Sequence, residues 1–183
     1  LEDPSVFDYI QIAEIIADEN KINDKDWSRE LFKKAEELAE GNVDVINVAD
    51  SVLKVNGLAD KDWARELFKK AEELAEDTRD LVNPADSVLG LADKDWSREL
   101  YKKAEVLAEG NVDLIDVADS VLNADGLADK DWARTLYQKV ENELTELDGF
   151  NTLIYKAFTD LEDNEWGEKL IKQAIIKLNE SDD

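Results

Sequence analysis

Five tryptophans punctuate the chain at Trp27, Trp63, Trp96, Trp132 and Trp166, separated by 36, 33, 36 and 34 residues. Fixed periods of this size mark stacked supersecondary units, each too small to bury its own apolar face. An acidic run precedes every one: "DKDW" four times and "DNEW" at Asp163. An apolar residue stands five positions before each Trp, at Ile22, Leu58, Leu91, Leu127 and Leu161. The fifth copy therefore belongs to the series although its letters have drifted.

After Asp60, steps of about 100° per residue place Trp63, Ala64, Leu67, Phe68, Ala71, Leu74 and Ala75 on one face. Arg65, Glu66, Lys69, Lys70, Glu72 and Glu73 fall on the other. This is an amphipathic helix, the second of each unit, with Asp60 as its cap and Asp62 against its positive end. The first helix is "NVDVINVADSVL" from Asn42, with Val45, Ile46, Ala49, Val52 and Leu53 as its apolar face. Gly41 and Gly110 end the preceding helices, and Asn42 and Asn111 are expected to cap the next. At the start of the chain, Asp3 is the expected cap with Pro4 at the first helical position. Pro84 replaces Val48 in the third copy, so that helix either starts late with Asn83 as its cap or kinks.

The expected fold is all-α: an α-α superhelix, or solenoid, of about five antiparallel helix-turn-helix repeats of 33–36 residues. Residues 1–183 form one expected helical-repeat domain, with units near 3–20 (partial), 21–57, 58–90, 91–126 and 127–183. The last holds Phe150, Ile154, Phe158, Ile171 and Ile175 as a divergent closing hairpin. Ala35, Ala49, Ala71, Ala104 and Ala118 should let helices approach closely. The tryptophans serve as structural repeat anchors packed in the core, Trp63 between its own hairpin and the next. Arg29, Arg65, Arg98 and Arg134 recur two residues after Trp and should form ion pairs between or within helices.

The helix from Ala64, "ARELFKKAEELAE", with the Gly41-Asn42 ending of the preceding copy, resembles the second helix of Sel1-like repeats. Ala64, Phe68, Lys70 and Ala71 carry that likeness, as do Ala133 and Tyr137. The period also fits the broader tetratricopeptide class. The resemblance covers half of each unit; the Gly-containing first helix of the one and the Trp-to-Tyr spacing of the other are absent. It implies a helical-repeat scaffold for protein binding and nothing about chemistry.

The chain contains no His and no Cys, which removes the commonest general base, disulfides, and thiolate or imidazole metal sites. No Gly-rich phosphate loop or nucleophile elbow appears, and paired carboxylates are too abundant to single any out. No catalytic residue, cofactor or metal site is expected. "NADGLADKDW" offers Asn123, Asp125 and Gly126 in the rhythm of a calcium loop. Val121 and Trp132 occupy its first and last ligand positions, so a capped turn explains it better.

The formal charge is −24, which repels nucleic-acid phosphates and anionic membranes and attracts basic partners. No apolar run approaches the roughly 20 residues of a membrane span. The Leu1-Glu2 start and the lack of Met suggest a processed chain or a fragment. The sequence leaves location open and favours the cytoplasm.

Aligning the first helices stacks Asp8, Gln11, Glu14 on Asp44, Asn47, Asp50, then Asp80, Asn83, Asp86, then Asp113, Asp116, Asp119. Residues three apart share a helical face. A stacked array would join them into one stripe of carboxylates and amides, with Glu14, Asn47, Asp50, Asn83, Asp86, Asp116 and Asp119 as candidate partner-binding residues. Their carboxylates are expected to be free of structural duty. Glu36, Glu37, Glu40, Glu72, Glu73 and Glu76 sit near helix C-termini, where the dipole disfavours them. The expected function is a non-enzymatic module whose acidic face docks a basic protein or peptide. The alternatives are an acidic inhibitor (a nucleic acid mimic or toxin-neutralising immunity protein) and a structural repeat segment of a larger protein.

Overall fold

A computed structural model of the chain describes residues 3–54, 56–123, 126–145 and 147–181. Asp125, weighed above as a calcium ligand, and the Leu1-Glu2 start lie outside these residues. The fold is all-α, with no strand among the described residues. The helices are α1 (Val6–Ala17), α2 (Lys25–Leu38), α3 (Asn42–Leu53), α4 (Lys61–Glu73), α5 (Thr78–Val88), α6 (Lys94–Leu107), α7 (Asn111–Leu122), α8 (Lys130–Glu143), α9 (Leu147–Tyr155) and α10 (Asn164–Ser181). A 3-10 turn, Leu89–Leu91, follows α5, and a π-helical turn, Lys156–Asp160, follows α9. No helix among the described residues is long and apolar enough to cross a membrane.

The chain divides into two compact units, Leu1–Leu107 and Ala108–Asp183. In the first, α1 pairs with α2, α3 with α4 and α5 with α6; in the second, α7 pairs with α8 and α9 with α10. The hairpins are thus phased from first helix to second helix. Boundaries fall after α2, α4, α6 and α8, not near residues 20, 57, 90 and 126 as the Trp spacing suggested. The tight turn lies inside the hairpin, immediately before each "DKDW".

That turn explains why the letters recur. Asn23, Ala59, Ala92, Ala128 and Glu162 all take left-handed φ values of 53–61°. Each precedes an Asp whose side chain accepts the backbone N–H of the Trp three residues on, at 2.9–3.1 Å. The left-handed residue reverses the chain, and the Asp satisfies an amide that the first helical turn leaves open.

Other caps differ from expectation. Ser5, not Asp3, caps α1 and forms a capping box with Asp8, because Ser5 sits three residues before a carboxylate that can answer it. Gly41 and Gly110 are the N-caps of α3 and α7, with Asn42 and Asn111 already inside the helices. Asn42 is buried instead, and its Nδ2 donates to the Ala71 carbonyl (2.7 Å) and the Asp80 carbonyl (3.0 Å). The second bond accounts for Pro84. Helix α5 runs on through it from the Asp77 cap. Pro84 has no N–H to offer the carbonyl four residues earlier, which is that of Asp80. Asn42 supplies the missing donor.

The core of the first unit is filled by Phe32, Leu67, Phe68, Leu100 and Tyr101, with Ala35, Ala49, Ala71 and Ala104 fully buried where helices close on one another. Burying each of the large side chains stabilises by about 1.5–3 kcal/mol. Ala118, Leu136, Tyr137, Val140, Leu153 and Leu170 do the same in the second unit. The closing hairpin leaves Phe158, Ile171, Ile175, Ile176 and Leu178 exposed.

The tryptophans are not core residues in general. Trp166 is buried, Trp63, Trp96 and Trp132 are half-buried, and Trp27 is exposed. Trp63 reaches the hairpin before its own. Its Nε1 donates to Glu36 Oε2 (3.0 Å), and the Arg29 guanidinium lies 5.4 Å from its ring centroid. Arg29 also pairs with the cap Asp60 at 2.8 Å. The next junction repeats the set: Trp96 Nε1 donates to Glu72 (3.0 Å), while Arg65 covers the Trp96 ring and pairs with Asp93 at 2.7 Å. In the second unit Trp166 donates to Glu141 (2.8 Å), and Arg134 covers its ring and pairs with Asp163. An indole at a hairpin edge keeps its polar N–H within reach of a carboxylate, and Leu and Phe or Tyr one turn on fill the core. Glu36 and Glu72, disfavoured by the helix dipole, are therefore held by an indole across the junction.

Candidate functional site

Helices α1, α3 and α5 line a groove of about 730 Å³ in the first unit. Phe7, Ile10 and Leu53 supply apolar wall; Gln11, Glu14, Asn47, Asp50, Ser87 and Asp86 supply polar wall; Lys54 is its cation. The stacked hairpins bring Glu14, Asp50 and Asp86 together because each holds the same register on its helix, and Asn47 joins them from one turn before Asp50. Asn83 lies on the exposed side of α5 and is not part of that lining. Asp116 and Asp119 are half-buried on α7 in the second unit.

The carboxylates differ in what already holds them. Glu14 accepts from Lys54 Nζ at 2.9 Å. Partial burial alone would raise its pKa, but hydrogen bonds from Lys54 and Ser51, with the Lys54 charge, hold it below the usual range. Asp86 accepts the Tyr101 hydroxyl. Burial first, and Asp86 second, push the Tyr101 phenol far above its ordinary range, so it remains a donor. Asp119 likewise accepts the Tyr137 hydroxyl, and Lys156 Nζ at 2.8 Å. Asp86 and Asp119 are thus not free of structural duty, contrary to expectation. A short Asp side chain on a first helix faces a Tyr on the second helix of the same hairpin.

Asp50 is the exception. Burial raises its pKa, and a hydrogen bond with Ser87 and the Lys54 charge offset this only in part. The reason is in the sequence. Tyr101 and Tyr137 stand five residues after their tryptophans, and Phe68 stands five after Trp63. Phe68 is fully buried and has no hydroxyl to give. That change from Phe to Tyr is the signal for which first-helix Asp a phenol holds. The lining residues Lys54, Ser87, Phe7 and Leu53 carried no such signal, since only stacking brings them to one place.

Chemically, the groove offers carboxylates and amides beside apolar side chains. It suits an ammonium or guanidinium group on a partly apolar chain. Among the described residues, no three Asp, Glu, His or Cys side chains are grouped to hold a metal ion. No protein-family model matches the chain, and no curated protein or solved structure shows significant similarity to it.

Proposed function

We propose that the chain is a non-enzymatic helical-repeat binding module that docks a basic peptide segment of a partner protein in the groove of α1, α3 and α5. The observation that carries this reading is Asp50: a half-buried carboxylate lining the groove, its pKa raised by burial, without the tyrosine hydroxyl that Asp86 and Asp119 accept. A cation entering the groove would relieve that burial cost. The −24 charge draws basic segments toward the surface, and Phe7, Ile10 and Leu53 give the peptide's apolar side chains a wall.

The test is calorimetry of the full chain with a peptide alternating lysine and leucine, against one alternating glutamate and leucine. The lysine peptide should bind saturably, weaken steeply as salt rises, and lose roughly threefold or more in affinity on Asp50→Asn. Binding that ignores Asp50→Asn, or that the glutamate peptide matches, contradicts the proposal.

A further inference from the structure

Lys54 stands at a register that carries no cation in the three hairpins aligned with its own. Four residues after the first-helix acids Glu14, Asp50, Asp86 and Asp119 come Asp18, Lys54, Gly90 and Asn123. Among the described residues that line the groove, Lys54 is the only cation. Asp50, one turn back along the chain, is the carboxylate nearest to it in sequence, and an acid four residues before a Lys is a favourable pair. The Lys54 ammonium instead crosses to the preceding hairpin and bonds Glu14 Oε1 at 2.9 Å.

The backbone and the side chain of Lys54 are held very differently. Its N–H donates to the Asp50 carbonyl, and its own carbonyl accepts the Gly57 and Ala59 N–H groups at 2.9 and 3.2 Å. The backbone of residue 54 therefore fixes the turn that leads to α4. The side chain is 58% exposed, and that of Glu14 35%. A pair between side chains this exposed is weak, so another cation can replace one member of it. The Lys54 charge nonetheless acts on both groove carboxylates, on Glu14 through a hydrogen bond and on Asp50 through space.

A second cavity, of about 430 Å³, shares Gln11, Glu14 and Lys54 with the groove and adds Asp18. An ammonium that leaves Glu14 thus has both water and the Asp18 carboxylate to turn to.

We infer that Lys54 is the resident counter-ion of the groove, holding Glu14 until a cation of the bound peptide displaces it. On the reading of the groove as a site for a basic peptide, on which this rests, Glu14 becomes a second cation position beside Asp50. Every ligand that reaches Glu14 then competes with an ammonium already in place. Lys54 so sets how basic a segment must be to use the whole groove.

Calorimetry of the full chain with the lysine–leucine peptide tests this. Lys54→Gln and Lys54→Met should each tighten binding about threefold, the scale of one partly exposed ion pair removed from competition. Both should fold, because the turn uses only the backbone of residue 54. Lys33→Gln removes the same charge from an exposed position on α2 and should change affinity by less than about 1.5-fold, since charge outside the groove is screened. In a Glu14→Gln background the gain from Lys54→Gln should shrink to the size of the Lys33→Gln effect. Binding that depends on Asp50 but gains no more from Lys54→Gln than from Lys33→Gln overturns the role of Lys54 and leaves the groove reading standing. So does a gain that persists in full without Glu14. An unaltered chain that does not bind the peptide, or binds it regardless of Asp50→Asn, overturns the groove reading and the role of Lys54 with it.

Discussion

Asp86 accepts the Tyr101 hydroxyl within its own hairpin, while Asp50, one hairpin earlier at the same register, has Phe68 where that tyrosine would be. The two hairpins share the left-handed turn residue, the Asp that bonds the Trp amide and the Trp junction, and their helix lengths agree to within a few residues. At that carboxylate, one phenolic oxygen makes the difference. In one it commits the first-helix carboxylate to the fold; in the other its absence leaves a half-buried carboxylate, bonded to Ser87, in a groove. A repeat can therefore keep the same acid at the same position and still give it two different duties.

The same lesson applies most forcefully to the tryptophans, where equal letters again meet unequal surroundings. Trp166→Ala should cost about 3–5 kcal/mol, since Trp166 is buried, stacked on Tyr137 and bonded to Glu141. Trp27→Ala should cost about 1 kcal/mol or less, because half of it is already in water and no junction partner is lost. Urea unfolding of the two variants checks this; equal losses would mean that the junction set contributes nothing beyond burial.

Between the two hairpins, Asp86→Ala should destabilise by about 1.5–3 kcal/mol, because the buried Tyr101 hydroxyl loses a charged acceptor. Asp50→Ala should cost less than about 0.5 kcal/mol, as the lost Ser87 bond is offset by relief of a burial penalty. If Asp50→Ala proved the more costly of the two, the distinction between them would be reversed.

A smaller effect separates them by pH. Asp50 has a folded pKa raised above its ordinary 3.8, so its carboxyl holds the proton more tightly when folded. Its contribution to stability is most favourable below 3.8 and declines as pH rises through the raised value. Asp60 and Asp93 run the other way: the Trp63 amide and Arg29 hold the first down, Arg65 and the Trp96 amide the second. Their stabilisation is present above 3.8 and lost as pH falls through their folded values. The Tm of Asp50→Asn should therefore match the unaltered chain in strong acid and exceed it increasingly above pH 3.8. A constant offset across that range would show that Asp50 titrates as an ordinary surface group.

Much of the fold was legible because it rests on local physics. The Trp period, the Asp caps and the 3.6-residue apolar faces each follow from residues a turn or two apart. Hairpin phasing was not, since the period is the same whichever helix is counted first. Nor was the Trp partner: Arg29 and Glu36 meet Trp63 only once two hairpins stack, and an indole at the edge of an apolar stripe reads the same whether buried or bridging. Asn42 looked like a cap until Pro84, forty-two residues later, freed a carbonyl for it. In the groove, the first-helix acids were visible as a series, and the Phe68-to-Tyr101 change that sorts them was visible too. What the series could not show is which helix face a tyrosine hydroxyl reaches.

The most direct test restores the missing oxygen. Phe68→Tyr places a hydroxyl at the register from which Tyr101 and Tyr137 reach their aspartates. It should stabilise the chain by about 1 kcal/mol or leave it unchanged. It should also weaken binding of the lysine–leucine peptide roughly threefold or more, by giving Asp50 a partner of its own. A folded Phe68→Tyr variant that binds the peptide as tightly as the unaltered chain would contradict the claim that Asp50 is the carboxylate this fold leaves open for a cation.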